Sequence, residues 1–110
     1  MKIIIITDLH GNYEAVRALP EAYDELWVLG DLVNYGPEPA AVVDFVKAKS
    51  AVTVRGNHDH CIGYDVDARC TARYQKMTET TRQYTTSVLK DVYKRQDRQC
   101  LVHAEALVGA

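Results

Sequence analysis

The sequence has few of the residues that mark disulfide-rich or secreted proteins. Its three cysteines, Cys61, Cys70 and Cys100, are odd in number and lack C-x-x-C spacing, which excludes a paired disulfide framework. We interpret them as ordinary thiols. No secretory segment opens the sequence either, because Lys2 is followed by only four isoleucines. We therefore expect a cytoplasmic location.

A large excess of one charge is also lacking. The chain carries 13 Lys and Arg against 15 Asp and Glu, for a formal net charge of -2. The acidic surplus lies in residues 1–60, and there is no basic cluster or basic amphipathic stripe. This balance gives no electrostatic footprint for nucleic acid or for a membrane surface. A small phosphate ester stays open as a partner.

What the sequence does have is a set of short apolar runs rich in β-branched residues, each the length of a buried strand and too short for a helix. The runs span residues 3–7, 26–29 and 52–54. Helical patterns separate them, over residues 12–23 and 39–49. The resulting βαβαβ order predicts an α/β fold with a parallel sheet.

The predicted helices carry their own start and stop signals. Asn12 is a candidate N-cap for the first helix, and Pro20 is expected to kink it or end it early. Pro39 suits the first position of the second helix, whose inward stripe we assign to Val42, Val43 and Val46.

A third helix is predicted over residues 71–90, about 20 residues and roughly 30 Å long. Its mixed apolar face consists of Tyr74, Met77, Thr81, Tyr84 and Val88. We expect this helix to cover the sheet or to line the mouth of a pocket; filling a groove on a partner is the alternative. Residues 63–70 lack a regular period and are interpreted as a loop beside the pocket.

Each predicted strand is followed by a polar motif. The motifs are Asp8-Leu9-His10, Gly30-Asp31 and Gly56-Asn57-His58-Asp59. Ligands of open α/β sheets bind outside the carboxyl ends of the strands, so the three motifs should converge on one edge. Taken singly, each has a plainer interpretation, such as a helix cap, a surface histidine or a turn. Their joint occurrence in this order favours a metal site.

The residue types fit a two-metal phosphoryl-transfer site. A bridging carboxylate such as Asp31 can hold two divalent ions about 3.5 to 4 Å apart, which clamp the attacking and leaving oxygens. Asp8 and His10 point to the same side of a strand end, since strand side chains alternate with period two. We assign them to one ion and the amide oxygen of Asn57 to the other.

Two residues of the last motif suit proton transfer. A histidine beside the metals, His58, is positioned to protonate the leaving alkoxide, a contribution of roughly 100- to 10,000-fold. Asp59 is expected to orient that imidazole. His60 has no assigned role and is interpreted as a loop histidine.

Together these motifs resemble the calcineurin-like metallophosphoesterases, and Gly36-Pro37-Glu38-Pro39 looks like the bacterial and archaeal phosphodiesterase branch. The resemblance covers about residues 1–89. It implies a four-layer αββα sandwich of two sheets flanked by helices, and hydrolysis of phosphomono- or diesters at a centre of two divalent ions. Manganese is expected, with iron, nickel or zinc as alternatives, and the mixed oxygen and nitrogen ligands suit such metals.

The resemblance also assigns the residues. It implies that Asp8 and His10 bind the first ion, that Asp31 bridges, that Asn57 binds the second ion, and that His58 is the acid.

One departure from the family pattern bears on substrate class. Phosphoprotein phosphatases and dinucleoside polyphosphate hydrolases of this superfamily typically place an arginine after the bridging aspartate, where this chain has Asn34-Tyr35-Gly36. Asn34 stands where many relatives have a second aspartate. Tyr35 carries no positive charge and cannot make the paired hydrogen bonds by which an arginine binds phosphate. We therefore favour a small phosphodiesterase over a phosphoprotein phosphatase.

A second departure lies near the end of the chain. Leu101-Val102-His103-Ala104 resembles the family's lone histidine ligand, but the Gly-His-x-His motif that should follow is absent. We therefore interpret residues 1–110 as a single, truncated phosphoesterase domain, an N-terminal fragment. Residues 91–96 look like read-through of a transposase end used in sequencing libraries; a solvated basic turn is the alternative.

Two classes of function stay open at this point. The first is a metal-dependent phosphoesterase, and the second is a non-catalytic metal-binding or scaffold module on the same fold. A proton donor at His58 favours the enzyme, since a scaffold does not need one. A third, narrower alternative concerns a chain of this length: with an incomplete ligand set it binds one metal weakly and catalyses nothing.

Overall fold

The computed structural model of the chain describes residues 1–20 and 22–89. Its elements are β1 Ile3–Ile6, α1 Tyr13–Arg17, β2 Glu25–Val28, α2 Pro39–Lys49, β3 Val52–Thr53, α3 Asn57–Tyr64 and α4 Ala72–Val88. The predicted ligand His103 and the segment 91–96 lie outside the described residues.

The three strands form one parallel sheet in the order β1-β2-β3, which confirms the predicted topology. Ile5 is paired with Trp27, and Val28 is paired with Thr53. The central strand β2 buries Leu26 and Val28 completely, as expected for a strand covered on one face by helices. Within the described residues there is this one sheet; the second sheet of the sandwich is not among them.

Helix α2 has the predicted bounds. Pro39 stands at its first turn, and Val42, Val43 and Val46 are buried. These valines recur on one side of the helix at three- and four-residue steps, so they pack together against the sheet and form much of the core.

Helix α1 is shorter than predicted. Asn12 does cap it, because the Asn12 side-chain oxygen accepts from the backbone N–H of Ala15 at 3.2 Å. The helix ends at Arg17 rather than near residue 23. Pro20 explains the difference, because proline has no N–H to donate and its ring clashes with the carbonyl four residues earlier.

Helix α3 is a departure from the prediction, which placed a loop after Gly56. The helix begins at Asn57, and the carboxylate of Asp59 accepts from the backbone N–H of Gly56 at 2.9 Å. An acidic side chain that bonds back to the N-cap residue stabilises the first helical turn. Cys61 and Ile62 are buried on the core side of this helix.

Helix α4 is confirmed, and of the two packing roles predicted for it the structure supports the second, because Tyr74 and Met77 line the mouth of a cavity. It contacts α2 and α3 and buries Thr78 and Thr85, whereas the aromatic and aliphatic side chains of the predicted face are exposed, Tyr74 by 44% and Met77 by 54%. Hence this face does not cover the sheet. No helix within residues 1–20 and 22–89 combines the length and apolar character needed to span a membrane.

Candidate metal centre

The loops after β1 and β2 run side by side at the carboxyl edge of the sheet. Backbone N–H groups of the first loop donate to carbonyl oxygens of the second: Asp8 to Gly30 at 3.0 Å, His10 to Asp31 at 2.9 Å and Gly11 to Leu32 at 2.7 Å. These bonds continue the strand ladder beyond the strand ends. They fix the first two polar motifs relative to each other.

The loop after β3 approaches the second loop so closely that only glycine fits. A Cβ on Gly30 would lie 2.5 Å from the backbone nitrogen of Gly56, and a Cβ on Gly56 would overlap the Asp31 carboxylate. Gly30 also has a φ of +99°, which side chains rarely allow. The glycines of the second and third motifs therefore bring the two loops into contact.

These loops hold an unusual concentration of left-handed backbone. Of the seven non-glycine residues with positive φ in the described part of the chain, five lie here: Asp8, His10, Asp31, Asn34 and Tyr35. Such conformations cost of order 1–3 kcal/mol each and persist where the surroundings hold them. The backbone hydrogen bonds between the loops stabilise these left-handed conformations, and the side chains converge as a result.

The five described residues predicted as ligands or acid line one cavity. Its volume is about 390 Å³, and it is lined by Asp8, His10, Asp31, Asn57 and His58 together with Tyr35, Tyr74 and Met77. One ligand atom each from His10, Asp31 and His58 lies within 4.8 Å of the other two. The convergence predicted from the order of motifs is therefore observed.

His10 is held in the orientation of a metal ligand. Its Nδ1 lies 2.8 Å from the carbonyl oxygen of Val33, so Nδ1 carries the proton and donates. The other ring nitrogen, Nε2, faces the cavity side and lies 3.3 Å from Oδ1 of Asp8. A histidine whose one ring nitrogen donates to a backbone carbonyl presents the other nitrogen to a metal ion, which is the usual arrangement of a histidine ligand.

The Asp8 carboxylate is stabilised in its ionised form. The hydroxyl of Thr7 donates to Asp8 Oδ2 at 2.8 Å, and this bond, with the charge of His10, holds the pKa of Asp8 below its usual range. Burial opposes the effect. An ionised carboxylate beside an imidazole is the donor pair that a divalent cation requires.

The other two oxygen donors are also preoriented. Asn57 donates from Nδ2 to the carbonyl of Ala68 at 2.8 Å, so its amide oxygen is the atom left for a ligand. Asp31 accepts the backbone N–H of His58 on Oδ1 at 2.9 Å, which leaves Oδ2. This donor set of carboxylate, amide and imidazole fits borderline divalent metals.

The His58 ring is oriented by a residue that was not predicted for this role. The side-chain nitrogen of Asn34 lies 3.0 Å from His58 Nδ1, and Asn34 is completely buried. Burial also lowers the pKa of His58, and the charge of Asp31 opposes that shift. With Nδ1 held by the amide, Nε2 is the nitrogen available to a ligand.

The prediction that Asp59 orients His58 is wrong. The carboxylate of Asp59 instead accepts three backbone N–H groups, from Asp31 at 2.7 Å, Leu32 at 2.8 Å and Gly56 at 2.9 Å. Asp59 is completely buried, and burial raises its pKa to about 6 despite these bonds. Its role is to tie the second loop to the third from beneath the cavity.

Tyr35 is a site residue that sequence reasoning noted only as a departure from the family pattern. Its ring packs edge-on against His10 and His58, with centroids 4.7 and 4.9 Å apart. Its hydroxyl is hydrogen-bonded to Thr78 of α4 at 2.6 Å. Tyr35 therefore connects the loops of the candidate metal centre to α4, whose Tyr74 and Met77 line the cavity mouth.

Comparisons with known proteins agree with this geometry. The family model described as calcineurin-like phosphoesterase matches residues 1–104. A metallophosphoesterase structure from Sphaerobacter thermophilus superposes with a TM-score of 0.73 and 28% identity, covering 89% of this chain and 40% of that one. That likeness confirms the α/β architecture of the sandwich.

Curated relatives are similar over the part that holds the motifs. The symmetrical bis(5'-nucleosyl)-tetraphosphatase of Nitrosospira multiformis is 45% identical over 67 residues, and that of Nitrosococcus oceani is 43% identical over 67 residues. Each match covers 54% of this chain and 24% of the relative. The chain thus spans about a quarter of the length of these relatives.

Proposed function

This chain belongs to the calcineurin-like phosphoesterase family, and from that premise we propose that the complete protein hydrolyses phosphoester bonds, chiefly phosphodiesters, at a centre of two divalent metal ions. The observation that carries the proposal is the convergence of His10, Asp31 and His58 donor atoms within 4.8 Å at the carboxyl edge of a parallel sheet. The family match over residues 1–104 supports one domain for the chain.

The donor atoms suggest how the metals would be divided. Asp8 and His10 would hold one ion, Asn57 the other, and Asp31 would bridge them. Manganese is the first metal to test, with iron, nickel and zinc as alternatives. His103, outside the described residues, is a further proposed ligand. Bound divalent ions supply a water-derived nucleophile at neutral pH and stabilise charge on the phosphoryl oxygens.

The chain's own residues would handle the leaving group. His58 is buried at the cavity floor with Nδ1 held by Asn34, so its Nε2 is the nitrogen from which a proton would pass to the leaving oxygen. Burial lowers the pKa of His58, but a bound phosphate ester brings negative charge that favours the imidazolium form. Tyr35 limits the ring's movement by packing against it.

The names of the relatives suggest a first substrate. Their description as symmetrical bis(5'-nucleosyl)-tetraphosphatases makes a dinucleoside tetraphosphate the natural compound to test beside a simple phosphodiester. Both are small phosphoesters, in keeping with the absence of a basic cluster in the sequence. The cysteine content also suits a cytoplasmic enzyme, which we propose as its location.

The test is manganese-dependent hydrolysis of bis(p-nitrophenyl) phosphate. Asp31→Asn should abolish it by removing the bridging charge, and His58→Ala should lower kcat roughly 100- to 10,000-fold. Glu14→Gln on α1 is the matched carboxyl-to-amide control and should retain activity, because Glu14 pairs with Arg17 outside the cavity. Turnover that survives both Asp31→Asn and His58→Ala, or partner binding without turnover, would reject the proposal.

A further inference from the structure

A second cavity adjoins the candidate metal centre. Its volume is about 670 Å³, and its lining includes Arg55, Gly56, Asn57, His60, Asp67 and Arg69. Asn57 lines both cavities. The two cavities are therefore neighbours that meet at Asn57.

The two cavities differ in charge. Within the described residues, the lining of the metal cavity includes no lysine or arginine, whereas the second cavity has Arg55 and Arg69. The one carboxylate in that lining, Asp67, accepts the backbone N–H of Arg69 at 3.2 Å and so holds the loop that presents the arginine. The N-terminal end of α3 lines the same cavity and carries partial positive charge.

Arg55 has a donor that lacks a partner. Its Nη1 is buried and makes no hydrogen bond, and its guanidinium lies 5.1 Å above the ring of Tyr64. The same ring packs against His60, with centroids 4.7 Å apart. Arg55 therefore lines the cavity with its guanidinium held against Tyr64, and a guanidinium so placed attracts an anionic ligand.

We propose that this second cavity binds the phosphates of a linear polyphosphate chain that lie beyond the phosphate held at the metal centre. Arg55 and Arg69 contact the phosphate oxygens, and Asn57 marks the boundary between the two subsites. The chemistry is that of guanidinium groups with phosphate, which is bidentate and charge-assisted. The inference rests on the proposed function, because it assigns a substrate class to the same site.

Binding of inorganic tripolyphosphate tests the cavity without requiring catalysis. The protein is treated with chelator and dialysed, so that the cations of the chain alone attract the ligand, and the affinity is measured by isothermal titration calorimetry. Arg55→Gln should weaken binding about tenfold or more, and exposed Arg69→Gln should act in the same direction. Arg17→Gln removes the same charge from α1 and should leave binding unchanged.

The kinetic test compares two substrates in the manganese-loaded protein. Arg69→Gln should lower kcat/KM for a dinucleoside tetraphosphate about tenfold more than for bis(p-nitrophenyl) phosphate, which has one phosphate. Arg69→Lys keeps the charge but loses the planar guanidinium that makes two hydrogen bonds. It should therefore recover part of the lost kcat/KM for the dinucleoside tetraphosphate. Because Arg69 is exposed on a loop, its variants test the inference even where Arg55→Gln does not fold.

The outcomes separate the two proposals. If the protein hydrolyses both substrates and each arginine variant lowers kcat/KM equally for the two, the inference is overturned and the proposed function stands. Failure to hydrolyse either substrate rejects the proposed function. The tripolyphosphate affinities still show in that case whether the second cavity binds polyphosphate. Absent tripolyphosphate binding, or equal weakening by Arg17→Gln, overturns the inference.

Discussion

The buried amide of Asn34 lies 3.0 Å from Nδ1 of His58 and is the side chain that orients this imidazole. The amide is neutral, so it holds the ring without favouring the imidazolium form. Burial lowers the pKa of His58, and this neutral contact does not oppose the shift. A carboxylate at position 34, as the family resemblance implies for many relatives, would act in the opposite direction.

Asn34→Asp should therefore raise the pKa of His58, because a negative charge next to Nδ1 stabilises the protonated ring. The measurement is an NMR titration of the His58 ring protons in the metal-free protein. Asn12→Asp introduces the same charge at the α1 cap and should not move this titration. An unchanged His58 pKa in Asn34→Asp would show that the contact does not control the ring.

The lowered pKa of His58 also predicts how stability depends on pH. The unfolded chain binds a proton near the ordinary value of 6.5, whereas the folded ring binds it only at lower pH. The folded state is therefore favoured above 6.5, and this contribution is lost as the pH falls from 6.5 toward the folded pKa.

His58→Gln removes the titrating group, so the variant should lose less stability than the original chain between about pH 7.5 and about pH 5. Urea unfolding at several pH values measures the difference in free energy of unfolding. Parallel curves for the two proteins across this interval would contradict the expectation.

Asp59 should matter for loop geometry more than for proton transfer. In Asp59→Asn an amide nitrogen would replace one of the two carboxylate oxygens. That nitrogen would face backbone N–H groups that need an acceptor, either the N–H of Leu32 or those of Asp31 and Gly56. Leaving buried donors unmatched costs about 1–3 kcal/mol. The variant should lower the free energy of unfolding by that amount and weaken manganese binding through displacement of Asp31.

Chemical denaturation and manganese titration of Asp59→Asn check both effects. If Asp59 instead served only to tune His58, stability and metal affinity would stay the same and only the pH profile of catalysis would change.

Two tyrosine hydroxyls provide a matched test of the connection between Tyr35 and α4. Tyr35 is bonded to Thr78 at 2.6 Å inside the site, and Tyr84 donates to the carbonyl of Pro37 at 2.7 Å outside the cavity. Each Tyr→Phe change should cost about 0.5–1.5 kcal/mol of stability. Tyr35→Phe alone should also change KM, because Tyr35 itself lines the cavity and Tyr84 does not.

Thermal unfolding and steady-state kinetics on the two variants separate these effects. Equal kinetics in Tyr35→Phe and Tyr84→Phe would mean that the hydroxyl of Tyr35 contributes to stability and not to the shape of the cavity.

The parts of this molecule that follow local patterns could be predicted from the sequence. Strand positions, the parallel order and the bounds of α2 depend on short-range periodicity, and Asn12 and Pro39 are local cap signals. The meeting of Asp8, His10 and Asp31 follows from strand order, because parallel strands end at one edge of the sheet. These predictions did not require knowledge of side-chain contacts.

What sequence reasoning missed depends on contacts between distant residues. Asp59 follows His58 directly, which suggested a pairing, yet the start of α3 turns its carboxylate toward the backbone of the second loop. Asn34 reaches the ring that Asp59 was expected to hold. For α4 the sequence left two roles open, and only the structure decides between them: Tyr74 and Met77 line the cavity mouth, while Thr78 and Thr85 are the buried residues of the helix.

Manganese binding by the protein and by Asp31→Asn, measured as bound ion per chain after gel filtration, tests the proposed dinuclear centre most directly. In the complete protein, a centre bridged by Asp31 predicts about two ions per molecule, with the loss of at least one in the variant and with loss of phosphodiester hydrolysis. Glu14→Gln should match the original protein. Absence of bound manganese, or equal binding and hydrolysis in Asp31→Asn, would contradict a bridged metal centre at this edge of the sheet.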